Sequence, residues 1–374
     1  MELTRNPFQP TFGKSPAVLA GREQLIDDFS LALAEGPGNP LRTSLISGAR
    51  GIGKTVILNE FENAAHSQGW VVLRSYVGDS MISDLVDTAI PRAYDSLDYA
   101  AADSQRRITE VSAFKVGVRT EITRTRPEAQ RTLQSELHDL ASHLQSHGTG
   151  ILITVDEVQS ADPAHLHELA TAVQDLNRDD FDIAFAAAGL PSGIEDLLQL
   201  DGTTFLRRAE RVHLTRLDDD SSQRLLRETS ELGGRPMTPE AAALAAQIAQ
   251  GYPYLLQVAG SVTWAHARVN DSPVISENHV AGSRDEIVRR MGTQVHAPSL
   301  RTVPPRQMEF LQAMAVLGGK EVPISVIAEK MGTTTTGVSG LRRELIYREL
   351  IEPSSYGKVR FTLPYLAEFL ASVR

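Results

Sequence analysis

The chain contains no cysteine among its 374 residues. Disulfides, thiol catalysis and cysteine-ligated zinc are therefore excluded. No apolar run approaches the ~18 residues a membrane span needs, so the sequence reads as soluble, with no membrane partner. The first residues, MELTRNPFQPTFGKSP, lack the basic start, apolar centre and small-residue cleavage site of a secretory signal. Together these absences point to a cytoplasmic protein. Internal repeats and low-complexity tracts are missing as well. What is left is an ordinary globular composition, 41% hydrophobic and 22% charged, with enough length for two or three domains.

The formal net charge is −10, the wrong sign for a protein coated in nucleic acid, but the sum hides an uneven distribution. From Arg301 to Arg374 ten Lys/Arg stand against seven Asp/Glu, a net of +3, while the first 300 residues carry −13. The basic part is the C-terminal tail.

Residues 42 to 77 read as strand, glycine-rich turn, helix and strand: RTSLIS, GARGIGKT, TVILNEFENAAHSQG with helical spacing, then WVVLRSYV. Two further apolar strands, GILITVDE and FDIAFAAAGLP, each follow an amphipathic helix. Strands alternating with helices predict a parallel sheet covered on both faces. Between residues 78 and 127 the pattern loosens. There MISDLVDTAIPRAYDSL reads as a helix broken at Pro91, and EVSAFKVGVRTEITRT alternates like an added β-ribbon. Past residue 216 the signals are helical, several with Ser, Thr or Asp at the N-cap position. Turn formers in GTQVHAPSLRTVPP predict a linker at 293–303.

GARGIGKT matches G-x-x-x-x-G-K-[ST] through Gly48, Gly53, Lys54 and Thr55, with Ala49, Arg50, Gly51 and Ile52 between them, and it lies between a strand and a helix as the motif requires. Glycines at 51 and 53 let backbone N–H groups turn inward. The helix entered at Lys54, Thr55 and Val56 presents its positive end, and Lys54 adds a full charge. Such a loop grips a nucleoside triphosphate, with Lys54 beside the β- and γ-phosphates and the Thr55 hydroxyl on Mg2+. The strand ILITVDE ends in two carboxylates; Asp156 is the metal-side residue and Glu157 the candidate base. ATP and Mg2+ are the expected ligands and hydrolysis the expected chemistry.

NPFQPTFGKSPAVLAGREQLIDDFSLAL ahead of GARGIGKT, followed by LITVDEVQ, AAAGLP and GYPYLLQVAGSVTW, resembles the bacterial AAA+/STAND-type ATPases related to the origin-recognition ATPases, across nearly the whole chain. The resemblance implies an α/β fold: a P-loop NTPase (AAA+-like) parallel sheet with helices on both faces over residues 1–216, then a helical lid at 217–295. It implies that VLAGRE, with Val18, Gly21 and Arg22, covers the adenine, and that GYP, with Pro253, sits against the nucleotide. It also implies that Arg207 or Arg208 completes the site of a neighbouring copy in a homo-oligomer, since a guanidinium neutralises charge on a transferred phosphate; the alternative for this pair is a basic surface face. At the family's sensor-1 position Ala186, Ala187 and Ala188 offer no polar group; either the Gly189 backbone takes that role or γ-phosphate sensing is weak, which favours a slow switch over a fast motor.

Residues 304–374 parse as three helices and a β-hairpin and resemble a winged helix-turn-helix. Phe310, Leu311 and Met314, then Ile324, Ile327 and Met331, then Val338, Leu341, Leu345 and Leu350 form the inward faces. Thr335, Thr336, Ser339, Arg342 and Arg343 fall on another side of the third helix, a set suited to a DNA major groove. In the wing, Lys358 and Arg360 point out while Val359 and Phe361 point in. Two signals carry no site. His143 and His147 share a helix face without a carboxylate to complete a metal set, and Asp218 to Asp220 read as a helix cap.

The combined expectation is an ATPase switch that couples nucleotide state to double-stranded DNA through the winged helix. The alternative is a non-catalytic, ATP-dependent scaffold whose winged helix grips a protein partner. A phosphotransferase would need a second substrate pocket, and none is legible.

Overall fold

The computed structural model describes residues 5–11, 13–97, 131–200 and 203–372. Five strands, β1 Thr43–Ser47, β2 Val71–Ser75, β3 Ile151–Val155, β4 Ile183–Gly189 and β5 Glu210–His213, form a parallel sheet in the order β2-β3-β4-β1-β5. β3 and β4 are buried along their whole length. Their successive side chains go to opposite faces: Leu152, Ala184, Ala186 and Ala188 enter one core, Ile151, Ile153, Phe185 and Ala187 the other. Both faces are therefore covered, as the alternation of strands and helices predicts. β5 is the edge strand and mostly exposed, so its hydropathy gives no signal.

Strand register decides where chemistry can sit. Ser47 pairs with Gly189 and Val155 with Ala187, so the glycine-rich loop after β1 and the carboxylates after β3 emerge side by side at the carboxyl edge. That edge, where strand order reverses, is where open α/β sheets place ligands.

Pro91, expected to break a helix, does not. The helix beginning at Met81 continues past Pro91 because Leu85–Ala89 forms a π-turn in which the Ile90 N–H bonds to Leu85 O. Widening the turn moves away the carbonyl that the proline ring would strike. The same device recurs at Gly292–His296, ahead of Pro298. The segment 293–303, expected as a linker, is consequently helical as far as Leu300. The expected ribbon EVSAFKVGVRTEITRT lies outside the described residues.

After the sheet come the helices Asp219–Leu232, Pro239–Ala249, Pro253–Val269, Glu277–Ala281 and Arg284–Met291. Asp218 caps the first by accepting the Ser221 N–H at 2.7 Å, which is the role its sequence context predicts. The N-terminal segment straps onto Pro253–Val269: Asn6 Nδ2 donates to Ser261 O at 3.0 Å and Gln9 N–H to Gln257 Oε1 at 3.0 Å.

The C-terminal region holds helices Pro305–Val316, Ile324–Lys330 and Thr335–Tyr347, then an antiparallel sheet of β6 Val322–Pro323, β7 Ile351–Ser355 and β8 Lys358–Phe361 in the order β6-β8-β7. This is a winged-helix arrangement around Phe310, Leu311, Met314, Ile327, Val338, Leu345 and Val359, all fully buried. It is docked on the rest of the chain. Arg216 Nη2 donates to Thr362 O at 2.8 Å, the Tyr365 hydroxyl to Ile248 O at 2.7 Å, and the Tyr347 hydroxyl to Asp196.

Candidate nucleotide site

The loop between β1 and the helix Lys54–Ser67 turns through Gly51 at φ +77° and Gly53 at φ +104°, left-handed values that glycine alone adopts without strain. The result is a helix N-terminus with its N–H groups open toward a cavity of about 500 Å³. Arg50, Gly51, Ile52, Gly53, Lys54, Thr55 and Val56 line that cavity, and so do Glu157 and Pro253. Gly48 and Ala49 do not line it; their carbonyls accept the Lys54 ammonium at 2.7 and 3.2 Å. Burial pushes the Lys54 pKa down, against the pull of nearby Glu349, Glu157 and Asp156.

Thr55 Oγ1 donates to Asp156 Oδ2 at 2.5 Å, so the two proposed metal-side groups are brought together by the register of β1 and of β3 on β4 between them. The donor set suits Mg2+. A hydroxyl and a carboxylate are hard oxygen ligands, and two protein ligands leave positions for water and phosphate oxygens. Among the described residues no group of three or more His, Cys, Asp or Glu could hold a metal by itself. The Asp156 pKa is raised, first by burial, with the Thr55 hydrogen bond opposing.

Glu157 stands in the left-handed region at φ +54°, a conformation that costs a non-glycine residue on the order of 1–2 kcal/mol. Gln159 holds it there: its Nε2 donates to the Glu157 carboxylate and its Oε1 accepts the Leu190 N–H at 3.0 Å. A Cβ on Gly193 would lie 2.5 Å from Gln159 Cβ, so the small residue there makes room. Gln159 thus brings a polar group to the end of β4, where Ala186, Ala187 and Ala188 are buried and apolar. Its sequence signal is only that it lies two residues past Glu157.

On the far side of the cavity Leu19, Ala20 and Arg22 line the wall. Val18 and Gly21 flank it without lining it, a difference of one or two positions from the expected adenine cover. The GYP element ties the lid to the phosphate loop, since the Tyr254 N–H donates to Gly51 O at 3.2 Å and a Cβ on Gly51 would lie 3.1 Å from the Tyr252 hydroxyl oxygen. Gly251 is required by close approach: at φ +68° its Cβ would fall 2.2 Å from Leu217 O. Arg207 and Arg208 are exposed on the turn Thr204–Arg208 and do not line this cavity.

Residues 18–185 match the family model of the AAA ATPase domain. This part of the chain is an AAA ATPase domain. Residues 293–370 match a domain of unknown function (DUF8462), and comparison with curated proteins gives no match. Solved structures of similar fold include the Walker-type ATPase paby2304 of Pyrococcus abyssi, at TM-score 0.62 and 16% identity over 94% of this chain and 96% of that one. Another is the ORC2 protein of Aeropyrum pernix in its ADPNP–ADP complexes, at TM-score 0.64 and 16% identity over 97% and 96%. At such identities the likeness is one of fold.

The AAA domain meets the winged helix at a residue that no local motif marks. Glu349, in the left-handed conformation at φ +55°, is 9% exposed. Its charge interacts with those of Lys54 and Arg50 in the phosphate loop, and burial pushes its pKa up to about 7. Its Oε2 has no hydrogen-bond partner among the described residues. On the outer side of the winged helix, Thr335, Thr336, Ser339 and Arg343 are exposed and Arg342 is half-buried. Arg360 Nε pairs with Glu352 Oε1 at 2.6 Å and Lys358 Nζ with Glu321 Oε2 at 3.8 Å. The wing cations thus already have carboxylate neighbours.

Proposed function

We propose that the chain is an ATP-dependent switch whose nucleotide state sets how the winged helix engages double-stranded DNA. In this reading Lys54 and the loop amides from Gly48 to Val56 hold the phosphates, and Thr55 and Asp156 hold Mg2+. Glu157, clamped by Gln159, takes the proton of the attacking water. When bound, Mg2+ supplies the charge that neutralises phosphate oxygens. Arg22 and Pro253 close on the nucleoside side, with Val18 and Gly21 shaping the turn behind them. β4 itself contributes no polar side chain at Ala186, Ala187 or Ala188, which supports slow turnover. Arg207 or Arg208, exposed and outside the chain's own cavity, would serve a neighbouring copy.

One observation carries the coupling: Glu349 of the winged domain is buried and its charge interacts with those of Lys54 and Arg50. A carboxylate there competes with polyphosphate for the same two cations, so nucleotide binding and docking of the winged domain are linked, each shifting the other by the same factor. Thr335, Thr336, Ser339, Arg342 and Arg343, with Lys358 and Arg360 of the wing, form the DNA-facing set. The pairing of Arg360 with Glu352 and Lys358 with Glu321 favours a second reading, a winged helix that docks a protein.

Duplex-DNA affinity of the full chain, measured at about 50 and 200 mM salt with and without a magnesium–ATP analogue, decides between them. The DNA switch predicts steeply salt-dependent binding that nucleotide changes about five-fold or more. Absent or salt-insensitive binding selects the protein partner.

A further inference from the structure

Past the phosphate loop the cavity wall is formed by Leu19, Ala20 and Leu225, and Gln257 lies among them. The Gln257 side chain is 8% exposed. Its orientation is fixed by chemistry: Oε1 accepts the Gln9 N–H at 3.0 Å, and because a backbone N–H can only donate, the other end of the amide must be the NH2. That Nε2 is buried and has no partner among the described residues. Buried donors are nearly always satisfied in folded proteins, so an unpaired donor on a residue that lines the cavity marks a place where a ligand completes the bonding.

The amide is also held in place. Phe8 packs so closely on Gly260 that a Cβ there would come within 2.2 Å of the ring, and Asn6 binds Ser261. The strap carrying Gln9 therefore runs along the helix Pro253–Val269 in one register, and Gln257 cannot turn away without abandoning the Gln9 N–H. Its depth is fixed by the same helix. Tyr254 bonds the phosphate loop at Gly51, and Gln257 is three residues, or about 5 Å of helix rise, beyond it.

We infer that Gln257 reads the edge of the nucleobase: its Nε2 donates to a ring nitrogen of adenine while the purine lies against Leu19, Ala20 and Leu225. The inference rests on the reading of the cavity as an ATP site. A fixed donor suits adenine, whose N1, N3 and N7 all accept; guanine accepts at N3 and N7 too, so the donor excludes guanine only where it meets N1, which in guanine carries a hydrogen of its own. Base recognition then comes from a side chain reached through the N-terminal strap, which places base recognition and strap docking on one amide.

The test is calorimetry of the full chain with magnesium and ATP, 1-deaza-ATP, 3-deaza-ATP or 7-deaza-ATP, on the wild type and on Gln257→Glu. The variant keeps an acceptor for the Gln9 N–H and replaces the donor, so ATP should bind it about ten-fold more weakly or worse. In the wild type one deaza analogue should bind about three- to ten-fold more weakly than ATP, and that deficit should vanish in Gln257→Glu. Equal binding of all four nucleotides to the wild type overturns the inference, and so does a deficit that persists unchanged in the variant. The wild-type series needs no substitution, so it stands even where the variant folds poorly. Wild-type protein that binds none of the four overturns the ATP reading beneath, a separate failure.

Discussion

Glu349 of the C-terminal domain and Lys54 of the phosphate loop are both buried and lie near enough for their charges to interact. They belong to opposite ends of the chain, and docking alone brings them together. Burial is the leading cause of both shifts, raising the Glu349 pKa to about 7 and lowering that of Lys54. The other charges acting on Glu349 are Arg50, Glu157 and Glu352. Because the docked pKa of Glu349 lies above its ordinary value of 4.5, the docked state binds the proton more tightly. Docking is favoured at acid pH and weakens as pH rises through the window from 4.5 to about 7, by on the order of 3 kcal/mol in all.

Polyphosphate near Lys54 adds negative charge to that site. Nucleotide binding near pH 7 should therefore take up a fraction of a proton, read from binding enthalpies in buffers of different ionisation heat. Glu349→Gln should abolish the uptake and tighten binding several-fold. Unchanged proton uptake in the variant would remove Glu349 from the coupling.

Turnover should depend on Glu157 and on what holds it. Lys54→Ala should abolish nucleotide binding, and retained affinity would move the site. Glu157→Gln should bind ATP but lose about 100-fold or more in kcat. Gln159→Leu, which removes both the bond to Glu157 and the bond to the Leu190 N–H, should lower kcat about ten-fold with KM little changed. Calorimetry with ATP measures binding for the first two, and steady-state phosphate release measures kcat for the last two.

The phosphate loop, Asp156 and Glu157 were legible because their chemistry is local: spacing, glycines and a strand end are written within a few residues of one another. Strands β1 to β4, the parallel sheet they imply and the three C-terminal helices were legible from hydropathy period, while the order of the strands and the exposed β5 were not. What the sequence could not show is contact between distant segments. Glu349, Gln257 and the strap residues Asn6 and Gln9 acquire meaning only once the lid and winged domain fold back on the loop. Pro91 and the turn formers of 293–303 misled for a different reason. A π-turn one residue earlier lets a helix carry a proline, and nothing in the composition distinguishes that from a break.

The seam where the lid closes on the segment after β5 should be intolerant of any side chain at residue 251. Gly251→Ala combines a left-handed φ of +68° with a Cβ 2.2 Å from Leu217 O. A loss of about 2 kcal/mol or more is expected, read from urea midpoints. A variant as stable as the wild type would mean that the seam opens freely.

His296 should make the fold acid-sensitive. It is fully buried, its Nε2 donates to Pro364 O at 2.8 Å, and burial lowers its pKa to about 4. The unfolded chain, with an ordinary histidine pKa of 6.5, binds the proton first. Stability should thus be full above pH 6.5 and fall as pH drops toward 4, by on the order of 3 kcal/mol. His296→Gln keeps a donor for Pro364 O and should flatten that part of the urea-midpoint profile. An unaltered profile would assign the acid sensitivity to other groups.

The winged helix should bind DNA, where it does, through its helix more than its wing. Arg343 is exposed, while Arg360 holds Glu352 at 2.6 Å and Lys358 lies 3.8 Å from Glu321. A cation that already neutralises a carboxylate releases fewer counterions from DNA than a free one, because its field is partly cancelled before contact. Each lost phosphate contact lowers the slope of log affinity against log salt by about 0.9. Arg343→Ala should therefore reduce the slope by close to one, and Arg360→Ala by much less. Glu352→Gln, which frees Arg360, should steepen the slope and tighten binding. Should Arg360→Ala flatten the slope as much as Arg343→Ala, the wing pair must open on DNA, and the intramolecular pairing would lose its standing as an argument for a protein partner.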